Sequence, residues 1–394
     1  MLSIVRQNPI VRTAAGVLLI AAVYIYFLIF AQFGFLKLVE SAGVHAWQMQ
    51  FLMALMGISG VLASLGAAKR CDRQSARRLI QAGLIACATT AGLALVMEGF
   101  LARCVVSILI GASAGLLTVS LSASYPFLWG ARRFGLAAGL GTGLAYAICN
   151  IPAVFAASPA RQAVIAALAC GVGFLMLPFH GESSELDSDR PVEPESKGDH
   201  WSFVAVVAAF FGLIWLDSCG FYVLQHTPAL NRFGWANSVL QWQNAGIQLV
   251  AAAAAGFWLD RRGLAGIPIV ACVLLIAAAV CVMHGDENAA AATHWLYAAG
   301  VSIYSAALTF APAASCGGDL SVAARRAGAL FAVAGWGGSA LGVGIAQNMH
   351  AIPMWLVIAA GAMVVASTLV QMILPKVRTA DTRSFFRVGK KLRG

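Results

Sequence analysis

A carboxylate stands inside an apolar run at Asp217, in the hexapeptide Trp215-Leu216-Asp217-Ser218-Cys219-Gly220. A charge in such surroundings is unfavourable, so its presence suggests a working group: a carboxyl that takes up and releases a proton as its exposure changes. The plain alternative is a neutral or hydrogen-bonded structural Asp. Ser218, Phe221 and Gln225 share its stripe at helical spacing. His226, one residue beyond, is either a second proton-handling group or a solvated loop histidine. Arg103 is another charge beside an apolar run, and an interfacial pair with Glu98 would account for it.

Other stripes carry neutral polar groups. Gln241, Asn244 and Gln248 align on one helical face, as do Gly139, Gly143, Tyr146 and Asn150. Amides and phenols can satisfy a polar solute without carrying charge, and the glycines permit close approach. Gln32, Tyr304 and Trp336 are further candidates for lining a cavity, with packing as the alternative for each. His45, Met49, Met53 and Met56 form a soft stripe, and His350 and Met354 lie together near the last apolar run. Imidazole and thioether suit Cu(I), although Met is also a common gap-filler. Gly111-Ala112-Ser113-Ala114-Gly115 formally matches a nucleophile elbow, but it lies mid-helix, where small residues serve packing. No phosphate-binding loop, metal cluster or cofactor motif is visible.

The elements that must carry these groups follow from composition. The chain has 394 residues, 60% hydrophobic and 11% charged; soluble domains average about 25% charged. A bilayer crossing takes roughly 20 apolar residues. Spans are predicted near 13–36, 46–67, 79–97, 101–122, 134–157, 161–179, 201–225, 238–259, 264–283, 294–315, 327–348 and 353–374. An all-α polytopic membrane protein is expected. A secreted domain, a cytosolic enzyme and an outer-membrane barrel are excluded. The nine cysteines form no Cys-x-x-Cys pair, and most lie in apolar runs, so neither a disulfide framework nor a zinc site is suggested.

With twelve spans and both termini cytoplasmic, 22 of the 26 basic residues face the cytoplasm. The +10 net charge is therefore topogenic rather than a nucleic-acid signal. The segment 181–199 carries seven acids, two bases and two prolines, and reads as a cytoplasmic linker between six-helix bundles at 1–180 and 200–375. The tail 376–394, with seven bases and one acid, reads as a cytoplasmic segment along anionic lipid or a disordered topogenic tail.

The halves repeat each other. Asp72-Arg73 recurs as Asp260-Arg261, and Arg132-Arg133-x-Gly135 recurs as Arg325-Arg326-x-Gly328. The chain resembles the major facilitator superfamily over essentially its whole length. That family's loop motif, Gly-x-x-x-Asp-Arg-x-Gly, is matched by Gly256, Asp260, Arg261 and Gly263. The first copy keeps Asp72 and Arg73, but Ala68 and Ser75 replace its glycines. The resemblance implies twelve transmembrane helices in two pseudo-symmetric bundles that rock about a central site. It places Asp72, Arg73, Gly256, Asp260, Arg261 and Gly263 in the cytoplasmic gate, where the Asp can hold an Arg or a neighbouring helix N-terminus. It also implies a part for Arg103 in proton coupling, and it brings helices 5 and 8 together, so their polar stripes serve either substrate or the interface.

The expected function is proton-coupled secondary transport of a small organic solute, neutral or anionic, across a bacterial inner membrane by a monomer without cofactors. Efflux or antiport is favoured over import. The alternatives are import of monocarboxylate-type anions, copper(I) transport, a non-transporting receptor and a membrane-embedded enzyme. Arg132-Arg133-x-x-Leu136-Ala137-x-Gly139 resembles the fifth-helix opening of monocarboxylate and oxalate/formate-type members. No basic residue lies within the eighth helix to pair with a carboxylate, and Ile151 precedes Pro152 where drug exporters have Gly.

Overall fold

The structure, a computed structural model, describes residues 8–130, 133–179, 197–231, 237–284, 287–314, 316 and 318–373. It contains no strand among these residues. Of the linker expected at 181–199, residues 181–196 lie outside them, and 197–199 belong to a helix instead; the tail at 376–394, Arg132 and Arg232 also lie outside.

Twelve long helical rods make up most of the described residues. The first six are α1 (Pro9–Ile25, through π-helical turns Tyr26–Gly34 into Phe35–Ser41), α2 (Ala46–Arg70), α3 (Ala76–Val96), α4 (Phe100–Trp129), α5 (Phe134–Cys149) and α6 (Pro159–Met176). The second six are α7 (Lys197–His226), α8 (Ser238–Arg262), α9 (Ile267–His284), α10 (Glu287–Ala314), α11 (Leu320–Leu330, through π-helical turns Phe331–Gly338 into Ser339–Met349) and α12 (Met354–Ile373). Among the described residues, nine of the rods are long and apolar enough to cross a membrane. Of the others, α5 and α9 are apolar but shorter, and α8 is diluted by its amides and Arg261–Arg262.

The surface is that of a multi-pass membrane protein. Leu62, Leu168, Ile358 and Met372 all point outward, each at least 64% exposed, whereas Ser107, Ser120, Thr142 and Ser302 are buried. Water would penalise such an apolar exterior; lipid does not. One hydrophobic core is built from α1 to α6 around Ile20, Phe30, Leu84 and Ile110. The other centres on α7 to α12 around Phe210, Leu213, Leu275 and Leu356, and takes in Val119 of α4 and Tyr146 of α5.

Where the rods differ from the expected spans, local chemistry explains the difference. The fifth was expected to run to 157 but stops at Cys149. Ile151 is extended before Pro152, whose ring disfavours a helical neighbour, and only a short turn, Pro152–Phe155, follows. The eleventh starts at Leu320 rather than 327, with the Asp319 side chain accepting from the Ser321 N–H at 2.7 Å. Its first turns hold Arg325 and Arg326 and carry no hydropathy signal.

Small residues set the closest approaches. A Cβ on Gly111 would stand 2.0 Å from the Met56 carbonyl oxygen, and one on Gly115 would stand 2.5 Å from that of Gly60. The nucleophile-elbow sequence is thus the α2–α4 packing face. A Cβ on Gly139 of α5 would stand 2.2 Å from the Ala252 oxygen of α8. Gly111→Ala should therefore destabilise the purified protein by roughly 1–3 kcal/mol, the range for overpacking. Gly171→Ala, where nothing lies within 4 Å of the new Cβ, should leave the thermal midpoint unchanged or raised. Thermal unfolding of the two variants side by side checks this.

Candidate functional site

Asp217 lies on α7 among aromatic side chains. Its Oδ1 accepts from the Tyr297 hydroxyl and its Oδ2 from that of Tyr304, each at 2.5 Å. The two tyrosines are seven residues apart on α10, hence two turns apart on one face, and the carboxylate sits between them. Both rings are buried, whereas Asp217 is only partly so. Tyr304 had been singled out from the sequence as a cavity candidate; Tyr297 had not. The seven-residue spacing puts Tyr297 on the face of Tyr304, but nothing in the sequence separates a donating tyrosine from a packed one.

A second polar cluster joins the bundles beside this one. Tyr146 of α5 shares a hydrogen bond with Ser305 of α10 at 2.9 Å. The Tyr24 hydroxyl of α1 donates to the Ser305 carbonyl at 3.2 Å and lies 2.8 Å from Thr309 Oγ1. Aromatic rings continue from the carboxylate toward one end of the bundle. Tyr297 stacks on Phe221 with centroids 6.4 Å apart, and Phe221 meets Phe33 of α1 edge-on at 5.5 Å. Phe33 also meets Phe155, and the Lys37 ammonium lies 5.1 Å from the Phe33 centroid and 5.7 Å from that of Phe155.

The other sequence candidates are distributed differently. Ser218 turns away from the carboxylate and donates to Ser339 of α11 at 3.1 Å. The Asn150 amide donates to Gln248 at 2.6 Å, so the stripes of α5 and α8 meet each other there. Gln241 and Asn244 are buried on α8, the Asn244 Oδ1 without a hydrogen-bond partner among the described residues. Gln32 and Gln225 are half-buried, and Trp336 packs edge-on against Phe27. His226 is exposed at the end of α7, stacked on Tyr222. Arg103 keeps a buried Nε on α4, and among the described residues no ion pair joins it to the exposed Glu98. Neither His226 nor Arg103 reaches the Asp217 carboxylate, whose partners are the two phenols. On the methionine stripe, Met53 Sδ accepts from Gln347 Nε2 of α11, and the His45 N–H is capped by Gln48.

The repeated Asp-Arg motifs lie at the opposite end from Lys37 and behave unequally. Asp260, at the end of α8, accepts from the Gly135 and Leu136 amides at 2.7 and 3.0 Å, and so caps the N-terminus of α5 across the bundle interface. Gly256 and Gly135 must both be small: a Cβ on Gly256 would stand 2.5 Å from the Gly135 oxygen. Gly263 ends α8 at φ +62°, and Arg261 lies over Phe257 at 3.7 Å. Asp72 instead accepts from the Ser75 and Gln74 amides of its own turn at 2.8 and 2.9 Å. The Ser75 backbone and side chain, then Gln74, hold this exposed carboxyl below its ordinary range. Arg73 beside it is exposed.

No protein family's sequence profile matches the chain, and no curated protein matches it. Among solved structures, that of the major facilitator superfamily proton:xylose symporter XylE, bound to 6-bromo-6-deoxy-D-glucose, aligns over 94% of this chain and 96% of its own, with a TM-score of 0.63 at 11% identity. The chain has the major facilitator superfamily fold. Within that fold, α1, α5, α7 and α10 carry the polar and aromatic groups that meet between the bundles, and Asp260 closes one end.

The Asp260 cap makes a direct prediction. Hydrogen bonds to a charged group contribute about 1.5–3 kcal/mol, so Asp260→Ala should speed amide exchange at Gly135 and Leu136 by roughly tenfold or more. Asp72→Ala should leave those amides unchanged. Hydrogen–deuterium exchange on peptides spanning the start of α5 distinguishes the two.

Proposed function

We propose that this protein is a secondary active transporter that moves a small organic solute by alternating access, with Asp217 as its proton carrier. The observation that carries the reading is the Asp217 carboxylate held between two tyrosine hydroxyls at the meeting of the bundles, with no cationic partner among the described residues. A lone carboxylate deep in a membrane protein is stable only while something satisfies it, and a proton is one such partner. The fold neighbour described above is itself a proton:xylose symporter.

The bundle contacts fit a closed conformation of such a carrier. At one end stand the Asp260 cap, the Phe134–Phe310 ring stack at 5.2 Å, and Gly328 packed on Ala68. Toward the other lie Phe33 on Phe221, Asn150 on Gln248 and Gln347 on Met53. Tyr297 links the proton site to the second group, because it bonds Asp217 and stacks on Phe221. A proton on Asp217 weakens the carboxyl as an acceptor, and in this reading the Tyr297 and Tyr304 bonds loosen with it. This is a carrier rather than an enzyme in our reading, with domains at 1–180 and 200–375 as the rocking bodies.

The charge distribution supports an orientation with both termini and the Asp260 end in the cytoplasm, and we take the membrane to be a bacterial inner one. Reporter fusions at the two ends should both report cytoplasm; a split result overturns the orientation. In vesicles, an imposed pH gradient should drive solute flux through wild type. Asp217→Asn should lose that drive and keep, at most, downhill exchange. Full gradient-driven flux with Asn at 217 would remove Asp217 from the coupling.

A further inference from the structure

We infer that Asp217, with the rings of Phe221, Tyr297, Tyr304 and Phe33, forms the recognition site for an organic cation, an ammonium or delocalised cation bearing apolar groups, which exchanges with the Asp217 proton. This deepens the proposed transport reading and rests on it.

The argument begins with charge. The titratable groups facing Asp217 are Tyr297 and Tyr304 of α10 and Tyr146 of α5. His294 lies buried one turn before Tyr297 on the same helix. Of the other rods packed on α7, α12 has no charged residue, α9 has only His284 at its last position, and α11 holds only Arg325 and Arg326, near its start. Phenols donate hydrogen bonds but leave the carboxylate's charge in place. The site therefore lacks one positive charge. An anion would meet the like charge of Asp217, and a neutral solute would leave the compensation of that charge to the proton alone.

The walls supply the second half of the argument. A cation over an aromatic face is attracted by the ring quadrupole, most strongly where water is excluded. Phe221 and Tyr297 lie nearly parallel, 17° apart, and Phe33 closes on Phe221 from the opposite bundle. The same surface already carries an ammonium: Lys37 Nζ sits over Phe33 and Phe155. A ligand cation would enter along that aromatic path and end on the carboxylate. Because one carboxylate holds either a proton or the cation, binding must expel the proton, and the resulting transport is antiport.

The test uses the full-length purified protein in nanodiscs and three probes of increasing size: tetramethylammonium, tetraethylammonium and tetraphenylphosphonium. At least one probe should bind, with affinity falling about tenfold per pH unit on the acid side, as displacement of one proton requires. Binding in weak buffer should release a proton. Asp217→Asn should weaken binding at least about tenfold and abolish the proton release, whereas Asp217→Glu should retain both in part. Failure of all three probes to bind overturns the inference, as does binding that Asp217→Asn leaves unchanged. A pH jump on the unliganded protein separates this from the parent reading. If wild type takes up a proton that Asp217→Asn does not, while no probe binds, the proton carrier stands and the cation site falls. If the two take up protons alike, the proton carrier itself is wrong.

Discussion

Hydrocarbon offers no hydrogen bonds, and that constraint organises this molecule. A polar group placed at depth is favoured when it finds its partner within the protein, and most of those described here do. The hydroxyls of Thr90, Thr118, Thr142 and Ser124 turn back onto backbone carbonyls of their own helices. Asn150 and Gln248 satisfy each other across the interface. Asp217 is the extreme case, a carboxylate whose two oxygens need two donors, and α10 provides both on one face. A polar residue with such matched partners is a positioned group, and the surrounding rods are arranged so that it stands between the bundles.

The internal repeat shows how the same motif takes on different duties. Asp72 and Asp260 occupy matching places, and so do Gly135 and Gly328. The difference lies in where the facing helix begins. Gly135 is the second residue of α5, so its N–H has no carbonyl to bond within the helix, and Asp260 accepts it. Gly328 stands eight residues into α11, where N–H groups are already engaged by the helix itself. Nothing there is left for Asp72 to cap, and it closes its own turn instead. Gly328 serves the interface through its lack of a side chain, packing on Ala68 and Ser64 of α2.

The architecture was legible in the sequence because hydropathy and the positive charges both report on the membrane. Twelve rods were expected and twelve are described, with errors only where helix continues beyond lipid, as at Leu320–Arg326, or where Pro152 breaks an apolar run. Asp217 was conspicuous because a carboxylate stands out in an apolar helix. Its partners were not, since a tyrosine in such a helix looks the same whether it packs or donates. Stripe reasoning grouped Ser218 with Asp217, but neighbours in sequence point about 100° apart on a helix, and Ser218 serves α11 while Asp217 serves α10. The amides of α5 and α8 could be read as ligands for solute or as interface contacts; in this conformation Asn150 and Gln248 are interface contacts.

The placement of these contacts bears on what the fold can do. Those toward the ends of the rods, such as the Asp260 cap and the Met53–Gln347 contact, involve groups that water can satisfy when a face opens. Their separation therefore carries a small penalty. The middle has no such substitute. Between α5 and α8, Gly139 and Gly143 lie against Ala252 and Gly256, a smooth contact of backbone on backbone with no long side chains to disengage. In the proposed carrier, two bodies joined by exchangeable contacts at their ends and by small residues at their centre would tilt with few polar groups left unsatisfied. The exception is Asp217, whose carboxylate cannot be left alone in the interior. In the proposed carrier, whatever occupies it, phenol, proton or cation, would change in step with the tilt, and the carboxylate's need for a partner would tie chemistry to motion.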